Sequence, residues 1–258
     1  MPGYAQVEIT TTAVRHAFAR TPADFVFPLD ADEFLKAPSR ATMERALAAI
    51  PARTHGLMTW HTYLPDFDRP YRDVVASARE ARRLPAERHQ HGKVVVARHF
   101  AATPRAVIAG GNHGVVPWHG ARSEDFEPHH VLAAGELAVA HLPFRNAPQF
   151  VAKTVIKRLA RLAAGRDWSA QFDRREAYDR IVAGGALDAA FFRAAAVNFN
   201  VAAERRIDAA AVTLVDDPFL ADFALRYTPS EPADALPLAL AAVEQLAVLE
   251  ARAHAPAA

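Results

Sequence analysis

Phe25-Val-Phe-Pro-Leu-Asp30-Ala-Asp32-Glu33-Phe-Leu35 is the stretch that carries most of the information in this chain. A short apolar strand delivers three carboxylates at its C-terminal end, with Lys36 as the nearby base. If extended geometry persists through Asp30 and Asp32, their side chains share one face while Ala31 points away, which sets two hard oxygen ligands roughly 6–7 Å apart along the chain. That pattern suits magnesium or manganese, which takes one or two carboxylates and completes its shell with waters and substrate phosphates. The bland alternative is an acidic turn capping a buried strand. A calcium loop of the EF-hand kind is excluded, because Phe34 and Leu35 stand where an oxygen ligand and a glycine are needed.

Working outward, Thr10–Arg20 reads as a helix with Val14, Ala17 and Phe18 on one face, ended at Thr21-Pro22. Thr42–Ile50 is helical and stopped by Pro51. Gly56–Leu64 alternates as a half-buried strand does, with Met58, Trp60, Thr62 and Leu64 on one face. Asp66–Gly92 is polar, contains Pro70 and Pro85, and reads as a long surface excursion of the kind that often carries function. Lys93–Arg98, Ala106–Ala109 and Glu136–Leu142 read as strands. Asn146 caps the next helix, with Gln149 in a capping-box position and Pro148 in the first turn. From Trp168 to Glu250 the pattern is mostly helical, broken at Gly184-Gly185, Pro218 and Pro229–Pro237, with a frayed end over Ala253–Ala258.

Several of these segments, taken in order, resemble bacterial family 2 glycosyltransferases of the Asp-x-Asp-Glu-Phe-Leu type. They are Phe25–Leu35, Lys93-Val-Val-Val, Gly110-Gly-Asn-His113, and His141-Leu-Pro-Phe-Arg145 leading into Gln149 and Lys153. The resemblance covers residues 5–165. It implies an α/β fold with a nucleotide-sugar-transferase (GT-A-like) sheet, flanking helices and a helical C-terminal segment. It also implies Mn2+ or Mg2+ on the Asp-x-Asp carboxylates and inverting transfer from a nucleotide-sugar donor to a glycan or other hydroxyl acceptor. Relatives of this kind place about two strand–helix units before the acidic signature to hold the nucleotide, whereas here Asp30 follows a single helix-like stretch. The expectation is therefore an incomplete, N-terminally truncated transferase domain over residues 1–165 and a mostly helical extension over 166–258. A degenerate, non-catalytic relative is the alternative that goes with it.

Candidate residues follow from both lines of reading. Asp30 and Asp32 are metal ligands, and His113 and His141, each at a strand end, are candidates for a third; the resemblance assigns His141 to the metal and His113 and Lys93 to substrate. Taken alone, Lys93 opening an apolar strand reads as an edge charge. Arg145 beside a helix N-terminus, with Lys153 two turns on, is suited to a diphosphate. Glu33 and Asp66 are the candidate general bases, with Glu124 and Asp125 not excluded by spacing. Lys157, Arg158 and Arg161 read as a solvated helix face. Eight histidines between His89 and His141 invite zinc, yet none forms an i, i+4 pair with a glutamate, so solvated loop histidines are expected. A rival enzyme reading is a haloacid-dehalogenase-type phosphohydrolase, with Asp30 as nucleophile, Asp32 as acid/base, a later lysine, and Val212-Thr-Leu-Val-Asp216-Asp217 as its second acidic strand end.

Composition narrows the partners. The 258 residues are 51% hydrophobic and carry 30 basic against 29 acidic side chains, so no global field recruits nucleic acid or a membrane surface. Only four of those 30 are lysine, which with the abundant alanine points to a GC-rich bacterial genome rather than a polyanion-binding surface. The absence of cysteine removes thiolate and disulfide chemistry and suits the cytoplasm. No apolar run reaches the roughly 18 residues of a membrane span, which leaves peripheral contact as the only membrane association expected.

Overall fold

The computed structural model describes residues 6–66, 74–88, 92–163, 172–185, 187–199 and 201–220, together with short helical pieces between 240 and 248. Pro70, His89, His91, Trp168, the Pro229–Pro237 break and Ala253–Ala258 lie outside the described residues. In chain order the elements begin α1 (Gln6–Arg20), β1 (Phe25–Val26), β2 (Glu33–Lys36), α2 (Arg40–Ala48) and β3 (His55–Leu64). They continue α3 (Val74–Arg79), β4 (Arg82–Arg83), β5 (Gly92–Ala97), β6 (Val107–Ile108), β7 (Val115–Val116), β8 (His129–Val131) and β9 (Ala138–His141). α4 (Ala147–Ala163), α5 (Phe172–Val182), α6 (Ala189–Val197) and β10 (Val215–Asp216) complete them. The chain is α/β, and its residues divide into two compact units, one from 2–61 and 90–141, the other from 62–89 and 142–258. The sequence-derived boundary at 165 thus falls inside the second unit.

The first unit is organised by a mixed sheet. β5 lies between β1 and β3, antiparallel to both, with Phe25 opposite Ala97 and Met58 opposite Lys93. β3 also pairs with β8 in parallel and with β9, and β9 pairs antiparallel with β2, Glu33 opposite His141. α1 covers this sheet: Val14 and Phe18 pack with Val94, Val96, Phe100, Ala106, Ile108 and Val115. Because alternate strand residues face opposite ways, Val94 and Val96 meet α1 while Lys93 and Val95 do not. Arg15 ties the following loop to α1, its guanidinium donating to the carbonyls of Thr103 (2.8 Å) and Ala106 (2.7 Å) and lying over the Phe100 ring. α2 starts two residues earlier than its periodicity suggests, because Ser39 Oγ accepts the Thr42 N–H at 3.1 Å.

The decisive stretch is where expectation and structure part. The strand stops at Val26, since Pro28 has no N–H to offer a ladder, and residues 30–33 form a turn rather than extended backbone. The Glu33 N–H donates to the Asp30 carbonyl (3.1 Å), while the Asp30 N–H donates to the Glu33 carboxylate (2.9 Å). Strand alternation therefore does not set the directions of Asp30 and Asp32. Lys93 is no edge charge either, because β5 is an inner strand and the lysine is wholly buried.

In the second unit, Phe144, Phe150, Phe191, Phe192 and Val197 pack with Leu64 and Leu84. Asn146 caps α4 as expected, accepting the Gln149 N–H at 2.8 Å; the reciprocal bond reaches the Arg145 N–H instead of the cap's own. Arg158 is not part of a solvated face, its guanidinium lying over the Tyr178 ring of α5. The polar stretch 66–92 is not a mere surface excursion: it contains α3, whose Val75, Ser77 and Ala78 are buried. Nor do residues 201–220 continue the helical run. Buried Asn198 ends α6 and grips the next loop, its amide donating to the Ile207 carbonyl and accepting the Ile207 N–H, both at 3.0 Å.

Candidate functional site

The turn 30–33 in the first unit collects side chains from five separate parts of the chain. Lys93 reaches it from β5, its Nζ standing 2.6 Å from Glu33 Oε1 and 3.0 Å from Asp30 Oδ2 and donating to the Gly111 carbonyl at 2.8 Å. The ammonium thus makes two hydrogen bonds, to Asp30 and Gly111, and a close ion pair with Glu33, with the Trp60 ring below at 5.9 Å. A buried lysine is tolerable only when paired in this way. Glu33 is its buried partner; burial holds that carboxyl above the usual carboxylate range, and the Lys93 ammonium pulls against the rise.

The other carboxylates are set differently. Asp30 is partly open to solvent, and its Oδ1 receives two long contacts, from the Gln6 side-chain amide (3.3 Å) and the Asn112 amide (3.4 Å). Gln6 in turn accepts the Gly111 N–H at 3.0 Å, which orients its amide. Asp32 Oδ1 lies 3.8 Å from His141 Nε2, beyond hydrogen-bonding range. Trp60 packs on both histidines, its ring 4.3 Å from His141 and 5.5 Å from His113. His113 Nδ1 donates to the Gly92 carbonyl at 2.8 Å, so its Nε2 carries the lone pair, the tautomer that ligating histidines use.

The glycines of Gly110-Gly111 earn their place at one position. Gly111 has φ 74°, and a Cβ there would stand 2.5 Å from His113 Nε2. Its left-handed backbone presents the carbonyl to Lys93 and the N–H to Gln6.

The structure therefore brings Asp30, Asp32, Glu33, Lys93, His113 and His141 into one cluster. Asp66, Arg145 and Lys153 belong to the second unit. Neither a family model, nor a curated protein, nor a solved structure matches the chain. No helix among the described residues is long and apolar enough to cross a membrane.

Trp60, Gln6 and Asn112 were passed over in the sequence. Asn112 had a signal, standing inside the quoted Gly-Gly-Asn-His; Gln6 had none.

A second cluster in the first unit joins His55, His99 and Glu127, whose donor atoms lie within 4.8 Å of one another. Its chemistry does not favour a cation. The Ala97 N–H donates to His55 Nδ1 at 3.1 Å, which puts the ring proton on Nε2, 3.2 Å from Glu127 Oε2. A metal on Nε2 would force a proton onto Nδ1, facing the Ala97 N–H. The cluster is instead a hydrogen-bonded clamp with His99 stacked on His55 at 4.4 Å. Burial, and next the neighbouring His99, push the His55 imidazole down to about 4.

Asp217, part of the second acidic strand end that the phosphohydrolase reading uses, accepts from Tyr63 Oη (2.9 Å) and Arg83 (2.5 Å) within the second unit. That is a structural joint.

Proposed function

We propose that this chain is a GT-A-like, metal-dependent inverting glycosyltransferase that takes a sugar from a nucleotide diphosphate donor to an acceptor hydroxyl. The observation that carries this reading is convergence. Asp30-x-Asp32-Glu33, Lys93, Gly110–His113 and His141, the parts of the resemblance that lie in the first unit, meet around one turn although up to 111 residues separate them (141 − 30).

The donor set suits a hard divalent cation: carboxylate oxygens with one imidazole nitrogen, and no thiolate. Asp32 and His141, together with Asp30 of the same turn, would have to draw together to hold Mn2+ or Mg2+, which when bound would neutralise charge on the departing diphosphate. Lys93 orients rather than binds substrate, since its ammonium is buried and enclosed by Asp30, Glu33 and the Gly111 carbonyl. Glu33 is tied to Lys93 and serves as its counter-ion rather than as the general base. Trp60 keeps water from the inner side of His141 and His113.

Calorimetry with manganese and a UDP-sugar tests the reading. Binding of the sugar nucleotide should depend on manganese, and Asp32→Ala should abolish the coupling; unchanged coupling in that variant rejects the assignment. Coupled binding without transfer to any acceptor would instead identify the non-catalytic alternative.

A further inference from the structure

Asn112 is unusual among the residues around the turn. It is 3% exposed, it adopts a left-handed backbone (φ 57°) directly after left-handed Gly111, and its Oδ1 is buried with no hydrogen-bond partner among the described residues. Its other amide atom offers little in exchange, because Nδ2 meets Asp30 Oδ1 at 3.4 Å, the outer limit of a hydrogen bond. A buried acceptor left unsatisfied and a backbone held in a sparsely populated region are each costly. Both costs fall on one residue, whose Nδ2 end, not the orphaned Oδ1, faces the half-exposed carboxylate of Asp30.

We infer that Asn112 is a cation ligand: with its amide turned over, its Oδ1 and Asp30 Oδ1 form a pair of hard oxygen donors for a divalent metal. Two oxygens sharing a metal at right angles stand about 3.0 Å apart for Mg2+ and about 3.4 Å for Ca2+, with Mn2+ between, given metal–oxygen distances of roughly 2.1–2.4 Å. The side-chain atom of Asn112 already stands 3.4 Å from Asp30 Oδ1, so exchanging amide nitrogen for oxygen needs rotation about one bond and no backbone movement. Charge agrees. Asp30, Asp32 and Glu33 bring three negative charges against the one positive charge of Lys93, a surplus of two. Lys93 occupies Asp30 Oδ2 and Glu33, which leaves Oδ1 as the oxygen that faces the amides. This inference rests on the metal dependence proposed above and adds a neutral ligand that the Asp-x-Asp reading does not include.

The test uses manganese or calcium alone, without nucleotide, on the full chain. Asn112→Asp preserves shape and adds a charge to the ligand set, so metal affinity should rise about tenfold and the cation-induced gain in melting temperature should exceed that of the wild type. Asn112→Leu, or Asn112→Ser if the leucine variant does not fold, should weaken metal binding at least tenfold. A strut that merely donates to Asp30 gives the opposite pattern: Asn112→Asp would set two carboxylates against each other, lower the melting temperature, and gain nothing from metal. That pattern, or metal affinity unmoved by every substitution at 112, overturns the inference. If Asp32→Ala abolishes metal binding while the Asn112 variants leave it unchanged, the cation belongs to Asp32 and His141, and the transferase reading survives without this ligand. If metal binds as described but no nucleotide-sugar couples to it, the ligand stands and the transferase reading falls.

Discussion

Lys93 shows what one buried charge demands of its surroundings. Its Nζ is held by two carboxylates and a carbonyl, so Lys93→Met strands Glu33, a buried carboxylate, without its counter-ion. Removing one partner of a buried pair costs about 3–5 kcal/mol. Urea unfolding of Lys93→Met should show a loss of that size, and adding Glu33→Gln should recover much of it; an additive double mutant would mean that the pair is not coupled. His55 supplies a pH test. Its folded-state pKa is about 4 against 6.5 for an ordinary histidine, so the unfolded chain binds the extra proton more readily. The resulting stability is complete above about pH 6.5 and is lost as pH falls toward 4, at a cost of about 3 kcal/mol. His99 is pushed down by burial and acts in the same direction. Unfolding midpoints at pH 7, 5 and 4 should fall accordingly, and His55→Gln should flatten most of that slope.

Among the elements, those with local signals matched their readings most closely. The cap of α4 was visible as Asn146 and Gln149, and β3 announced itself by alternation. Asn146→Ala should therefore cost about 1 kcal/mol in thermal or chemical unfolding, with little effect on metal binding in the first unit. Phe18 was likewise visible on the apolar face of α1, and Phe18→Ala should cost about 3–5 kcal/mol through the cavity left against Val94 and Phe100. The turn at 30–33 was harder to see. Apolar residues on both sides of it favour strand, and what ends the strand is Pro28 together with a bond from the Glu33 side chain back to the Asp30 N–H. The alanine-rich run after Val197 misled in the opposite sense. Its composition favours helix, but the side chain of Asn198 takes both backbone groups of Ile207 and holds the chain in a loop.

For the molecule as a whole, each unit is assembled from two separated pieces of chain. The core of the second unit joins Phe144 and Phe150 to Phe191, Phe192 and Val197, so a fragment ending at residue 165 lacks half of it. Such a fragment keeps the core of the first unit whole, so by circular dichroism it should melt with a smaller transition than the full chain, whereas a 1–165 domain complete in itself would lose nothing but the signal of a separate extension. Composition, charge balance, the order of the site segments and the cap of α4 were determined by the sequence alone, because each depends on residues a few positions apart or on a simple count. The partners of the buried charges were decided only by the tertiary structure. Lys93 and Asp30 are 63 positions apart (93 − 30), and nothing local tells an edge lysine from one wholly enclosed by two carboxylates and a glycine carbonyl. Burial makes that difference: it removes water from the charges, and a lone lysine under those conditions would be prohibitively costly, so the fold had to supply its counter-ions from elsewhere in the chain.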